Sequence, residues 1–248
     1  MTSRLLMPRR GRSTRSPLAA DRVSGSTTST RILDWDSTPV ARLAAGLTPV
    51  GTIGARAYVQ AAHRSVARNV SAVYALDDRQ PASVTVARGR GSCSQRAAVL
   101  ESLARRAGIV TRVRGIAVDG TFWYPRFRRL TWLVPERVVL AWPEFALEEG
   151  WVALGELFDT LPRLAENSAG FTNDGETLFD AVATTAVDWD GICGNDRCDL
   201  SATAVADFGY FESRDELFDR EGQTLSRLAL GVADPILARR APGSPTSP

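Results

Sequence analysis

Residues 89–97 read Gly89-Arg90-Gly91-Ser92-Cys93-Ser94-Gln95-Arg96-Ala97. Glycines and serines lead into a cysteine, and a helical pattern follows at once. Ala97, Leu100, Leu103, Ala104 and Ala107 form one apolar stripe, and Gly108 supplies the stop. A cysteine in the first turn of a helix meets unpaired backbone N–H groups and the positive end of the helix dipole. Both favour thiolate over thiol, so a lowered thiol pKa is expected for Cys93. The same N–H groups can hold an oxyanion formed when sulfur attacks a carbonyl. A buried structural cysteine is the competing reading.

Downstream the period changes to two. Ile109 to Val118 alternates apolar residues with Thr111, Arg112 and Arg114, and Asp119-Gly120 reads as a hairpin turn continued by Phe122-Trp123-Tyr124. Arg112 and Arg114 read as solvated strand-face charges. Val138 to Leu147 is a further strand, Glu148-Glu149-Gly150 turns it, and Trp151 to Leu154 returns. Upstream, Pro49 to Tyr74 is helical, with His63 near its polar edge, and Asp77 to Pro81 breaks it. Helices followed by an antiparallel meander make an α+β arrangement.

The chain has 248 residues, 44% hydrophobic and 23% charged, enough for a real core. All 30 basic residues are Arg, so lysine bases and Schiff bases are excluded. His63 is the only histidine, which excludes any site needing two imidazoles. Residues 1–35 carry seven Arg against Asp21 and Asp34, and read as a disordered Arg/Ser-rich tail or an over-early start. Without them the net charge is about −3, so no nucleic-acid footprint is expected. No apolar run reaches the length of a membrane span. Residues 40–160 form the expected core and 161–238 an extension packed on it. Ser213 to Glu216 opens a helix through Leu230, and residues 239–248 form a loose tail. The three cysteines, Cys93, Cys193 and Cys198, do not suggest a disulfide framework, and a cytoplasmic location is expected. Asp188, Asp190 and Asp196 surround the latter two, but zinc wants four Cys or His ligands; no metal and no cofactor is expected.

Four ordered blocks then stand out: Gly91-Ser92-Cys93, Arg106-Ala107-Gly108-Ile109 with its Arg-bearing strand, Leu140-Ala141-Trp142-Pro143-Glu144, and Gly150-Trp151 through Gly155. Together they resemble the transglutaminase-like superfamily, of papain-like fold, over roughly residues 50–160. The resemblance implies cysteine-centred acyl transfer, with the nucleophile at Cys93. Ser94 and Gln95 beside it, with Trp142 and Tyr124, are the expected oxyanion and pocket residues. The family's histidine falls on Leu140 and its aspartate on Gly155, both expected to face Cys93 across the groove. An imidazole normally deprotonates the thiol and protonates the leaving group, and its loss costs about 10²–10⁴ in rate.

His63 and Glu144 are the candidate replacement bases, although Glu144 lies about 13 Å along the strand from Leu140. Asp159, Tyr124 and Asp190 qualify only if the fold brings them in. Three functions fit these residues. One is thioester or amide acyl transfer on a small or carrier-bound substrate, in specialised-metabolite biosynthesis by the family resemblance. The others are a degenerate non-covalent ligand or partner binder, and a cyclase or rearrangement catalyst using the pocket without a triad.

Overall fold

A computed structural model describes residues 23–127, 131, 134–167, 170–173, 175–194 and 198–223. The helical run after Pro49 is cut at Gly54, whose φ of 83° suits glycine, into α2 (Val50–Ile53) and α3 (Ala55–Asn69); α1 (Thr38–Ala45) precedes them. α3 stops at Asn69 rather than Tyr74, because residues 71–72 leave it as a short strand, β1 (Ser71–Ala72). α4 (Ala82–Arg88) ends on left-handed Gly89, and β2 (Arg90–Gly91) pairs with β1 in parallel. This pairing delivers the chain to α5 (Cys93–Arg106).

The main sheet has the order β5-β4-β3-β6, antiparallel throughout. Its strands are β3 (Thr111–Asp119), β4 (Arg137–Leu147), β5 (Gly150–Ala153) and β6 (Ala204–Phe211). The register sets Ile116 opposite Leu140, Arg114 opposite Trp142 and Arg112 opposite Glu144. Over 139–142, alternate residues divide between two apolar clusters. Leu140 and Trp142 join the α3 and α5 stripe, including Val59, Val66, Leu100 and Leu103. Val139 and Ala141 join Phe208 and Phe211 of β6 and Leu217 and Phe218 of α8 (Arg214–Arg220). The mixed helices and antiparallel sheet are the α+β architecture expected from the sequence.

Three expectations are corrected. Asp119-Gly120 is not a hairpin: Gly120–Phe127 coils as a 3₁₀ helix and β3 pairs with β4 from Asp119↔Arg137. A Cβ on Gly120 would stand 1.9 Å from the Pro135 carbonyl oxygen, so close packing rather than turn type explains this glycine. The disordered tail does not reach residue 35. Ser26 bridges Thr111, Thr28 O accepts from Arg105, and Ile32 and Leu33 are buried beside Phe218 and Ala98. Their apolar contribution was hidden by averaging over a polar segment; residues 1–22 lie outside the described residues. Finally, a boundary at residue 160 does not separate core from extension, since β6 is an edge of the same sheet and α8 covers it. The α8 helix ends at Arg220, and the remainder of the expected helix to Leu230 and the tail at 239–248 lie outside the described residues.

Two short helices complete the frame of the site. α6 (Leu161–Asn167) and α7 (Leu178–Ala181) follow β5, and α7 packs on α5.

Candidate active site

Cys93 is the first residue of α5, and the turn beneath it is a closed capping box. Ser92 Oγ accepts from the Gln95 N–H at 3.2 Å, and Gln95 Oε1 accepts from the Ser92 N–H at 3.1 Å. The Gln95 amide nitrogen then donates to Asp77 O at 2.9 Å, so this side chain is a buried cap with none of its atoms lining the cysteine's pocket. Gly91 is needed here for space, because a Cβ would lie 2.7 Å from Thr85 Cγ2 and 3.1 Å from Gln95 Oε1.

The pocket beside Cys93 is small and apolar. About 10 Å³ is enclosed by Cys93, Ser94, Ala97, Leu140, Trp142 and Phe179 among others, about the room one water needs. Leu140 therefore shares the cysteine's pocket. The expected thiolate is not favoured. Although Cys93 as a residue is half-buried, its thiol sits amid packed protein. Burial pushes the thiol pKa up; the charges of Arg126 and Arg96 and the Ser94 N–H act in the opposite direction without overcoming it. Desolvation outweighs the helix terminus.

Among the described residues, no base lines this pocket. His63, expected near a polar edge, is 2% exposed and lies behind Phe179. Its ring stacks on Phe179 with centroids 4.3 Å apart and meets the edge of Phe158. Nε2 is 2.5 Å from Phe179 O and donates to it, while Nδ1 is buried without a partner among the described residues. Burial drives its pKa down to about 4, so the imidazole is neutral at pH 7. Glu144 is also committed elsewhere. Arg112 Nε donates to Oε2 at 2.8 Å and Tyr210 OH to Oε1 at 2.9 Å. Arg112 itself is buried between the rings of Trp151 and Tyr210, at 4.2 and 4.1 Å, not solvated as its alternation suggested. Tyr124 is 42% exposed, Asp159 pairs with Arg163, and Asp190 with Arg114.

Gly155 lies on the other side of Trp142, in a separate cavity. A Cβ there would stand 2.7 Å from Val187 O and 3.4 Å from Trp142 Cζ2, so the site has no space for a carboxylate without a shift of backbone. Leu140 and Gly155 thus do not face Cys93 together. This second cavity is about 110 Å³ and polar, with Glu144, Glu156 and Arg114 among aromatic walls. Trp142 borders both cavities and meets Trp189 edge-on at 5.8 Å.

The loop behind that cavity overturns the reading of the cysteines. Cys193 and Cys198 form a disulfide, and the buried Asp188 carboxylate accepts from the N–H groups of Asp190 and Cys193, at 2.8 and 2.7 Å. Their five-residue separation fits no Cys-x-x-Cys motif, which is why pairing was not expected. Among the described residues no three metal-ligating side chains converge, and no helix is long and apolar enough to cross a membrane. Asp196 lies outside the described residues.

One positioning residue was missed entirely. Arg214 of α8 is fully buried and donates from Nε to Glu101 Oε1 at 2.5 Å, from Nη1 to Ser94 Oγ at 3.1 Å and from Nη2 to Ala141 O at 3.1 Å. It ties the residue after Cys93 to the residue after Leu140. Burial raises the Glu101 carboxyl pKa, against the opposing pull of Arg214 and Arg105. Nothing local in the sequence around Ser213 distinguishes this arginine from a surface one.

Residues 42–155 match the family model of the transglutaminase-like superfamily. No curated protein and no solved structure matches the chain.

Proposed function

We propose, from the match of residues 42–155 to the transglutaminase-like superfamily model, that Cys93 is the acyl acceptor of an acyl-transfer enzyme whose donor is an activated thioester. The observation that carries this reading is Cys93 at the capped start of α5, with the Ser94 N–H on its sulfur and Trp142 in its pocket. Leu140 in the same pocket argues against amide cleavage, where a general acid must protonate an amine. A thioester needs less help. The Cys93 sulfur bonds to the donor's carbonyl carbon, the donor's carbon–sulfur bond breaks, and the departing thiolate takes up the proton that Cys93 gives up. The acyl group then passes to a nucleophile. The substrate in this reading is small or carrier-bound, and a role in specialised-metabolite biosynthesis rests on family resemblance alone.

A second reading, a non-covalent binder with a vestigial cysteine, is favoured by the raised Cys93 pKa and by a pocket that no base lines among the described residues. Intact-mass measurement after exposure to acetyl coenzyme A and longer acyl thioesters separates the two. Acyl transfer requires a mass increment that Cys93→Ala abolishes. A protein that stays unmodified by every donor sinks the first reading and leaves the second.

A further inference from the structure

The Cys193–Cys198 bridge closes a turn between α7 and β6, and the residues leading into it form one wall of the cavity beyond Trp142. Asp188, Trp189, Asp190 and Ile192 line that cavity. Several contacts hold this wall in place. Asp188 N–H donates to Cys198 O at 3.2 Å, and Leu200 N–H to Asp188 O at 2.7 Å. The buried Asp188 carboxylate accepts from the N–H groups of Asp190 and Cys193. Arg114 of β3 donates to the Asp190 carboxylate from both terminal nitrogens, at 2.8 and 2.7 Å. The disulfide adds a covalent tie to these.

The two ends of the bridge differ. Cys198 is 1% exposed and packs with Leu161, Leu164 and Ala186 in a small cluster apart from the two main ones. Cys193 is half-buried, between exposed Ile192 and Gly194. Gly191 and Gly194, with φ of 72° and 65°, place backbone freedom on either side of it. A disulfide removes less chain entropy the shorter the loop it closes, and this one joins residues only five apart. Its hold therefore falls on the turn more than on the whole fold.

We propose that the Cys193–Cys198 bridge is a redox-operated latch on this cavity wall, closed when oxidised and released by a dithiol reductant. A thiolate of the dithiol attacks the accessible Cys193 sulfur, the S–S bond breaks, and Cys198 leaves as a thiolate that takes up a proton. The second thiol of the reductant then displaces Cys193 from the mixed disulfide, and the reductant ends as its own disulfide. Each cysteine sulfur gains one electron and one proton, and the dithiol loses two of each. The reduced Cys198 behaves as a small apolar side chain and keeps its cluster. The Cys193 end is then held by hydrogen bonds alone, and its N–H groups on Asp188 exchange with water more often. Trp189 shares that wall, so release also alters its edge-on contact with Trp142 at 5.8 Å. The latch does not depend on the reactivity of Cys93.

The test compares the full chain before and after treatment with millimolar dithiothreitol. Alkylation in denaturant, read by intact mass, should count one free cysteine before reduction and three after it. Hydrogen exchange followed by NMR should become at least about tenfold faster at the Asp190 and Cys193 amides on reduction, and stay within about twofold in α5 and β4. Tryptophan emission should shift on reduction, and Trp189→Phe should remove that shift. The thermal transition should fall by less than about 10 °C, because the closed loop is short. The double variant Cys193→Ser, Cys198→Ala should show the fast exchange with and without dithiothreitol. The reduction itself needs no substitution, so a variant that fails to fold does not decide the outcome. A bridge that resists dithiothreitol in the folded protein, unchanged exchange at Asp190 and Cys193, or unfolding of the whole chain on reduction would each overturn the proposal.

Discussion

The two sides of Trp142 are built on opposite principles. On the cysteine side, every polar group nearby is already engaged or shut away: Gln95 in the cap, Ser94 under Arg214, His63 against Phe179. What remains is an apolar space for about one water. On the far side the cavity is an order of magnitude larger and is lined by carboxylates, Arg114 and aromatic rings. The comparison teaches that Cys93 and the larger cavity lie on opposite sides of one tryptophan. Substitutions on the cysteine side should therefore cost stability, and those on the far side should cost less.

The largest effect is expected at Arg214. Replacing it with Met leaves the Glu101 carboxyl buried without its partner and frees Ser94 and Ala141 from each other. Removing one member of a buried pair costs about 3–5 kcal/mol, readable in urea unfolding. The double variant Arg214→Met, Glu101→Leu should recover most of the loss, since an apolar pair of similar volume replaces the ion pair. Glu156→Gln, half-exposed at the far cavity, should change stability by no more than about 0.5 kcal/mol. If Glu156→Gln proved as damaging as Arg214→Met, the division between a closed side and an open one would fail.

His63 tests the same division through pH. Its folded pKa of about 4 lies below the ordinary value of 6.5. The unfolded chain therefore takes up a proton first as pH falls. Its contribution is fully present above about pH 6.5 and is lost as pH falls toward 4, amounting to about 3 kcal/mol. Comparing unfolding free energies at pH 7.5 and 4.5 should show a steeper acid loss in wild type than in His63→Gln. Parallel curves would mean the imidazole is solvated in the native state, and the sealed cysteine side would lose its strongest support.

How much of this was legible follows from how local each feature is. The α5 helix, β3, β4 and β5 could be read because period and turn residues sit within a few positions of each other. Cys93 at the helix start was equally local. The Ser92–Gln95 spacing was also in view, and read as a capping box it would have removed Gln95 from the pocket. Features set by distant partners were not readable. Arg214 and Glu101 are separated by 113 residues, and Arg112 looks solvated until Trp151 and Tyr210 close over it. The charge state of Cys93 was misread for a related reason. Its helix terminus is visible in sequence, but the desolvation that outweighs it comes from Leu140, Phe179 and Trp142 on other elements. Ile32 and Leu33 were a different failure, apolar residues lost in a compositional average.

The smallest expected effect concerns Cys93 itself. With Cys193 and Cys198 joined, Cys93 is the one free thiol. Its pKa is raised in the folded state, so the unfolded chain releases the proton first as pH rises. The contribution to stability is therefore fully present below the unfolded thiol pKa of about 8.5, and it is lost as pH rises through the higher folded value. Cys93→Ser, which does not titrate there, should keep a flatter stability profile across that alkaline range. Iodoacetamide labelling gives the kinetic counterpart: slow at neutral pH, and rising only above the pH at which an unstructured cysteine titrates. Fast labelling at pH 7 together with a normal alkaline profile would break the comparison on this side. The pocket would then open in solution far enough to solvate the thiol, and Cys93 would be available to a thioester without any base. Slow labelling with the expected alkaline loss instead means that a donor must supply the opening itself, by displacing Leu140 or Phe179 as it binds.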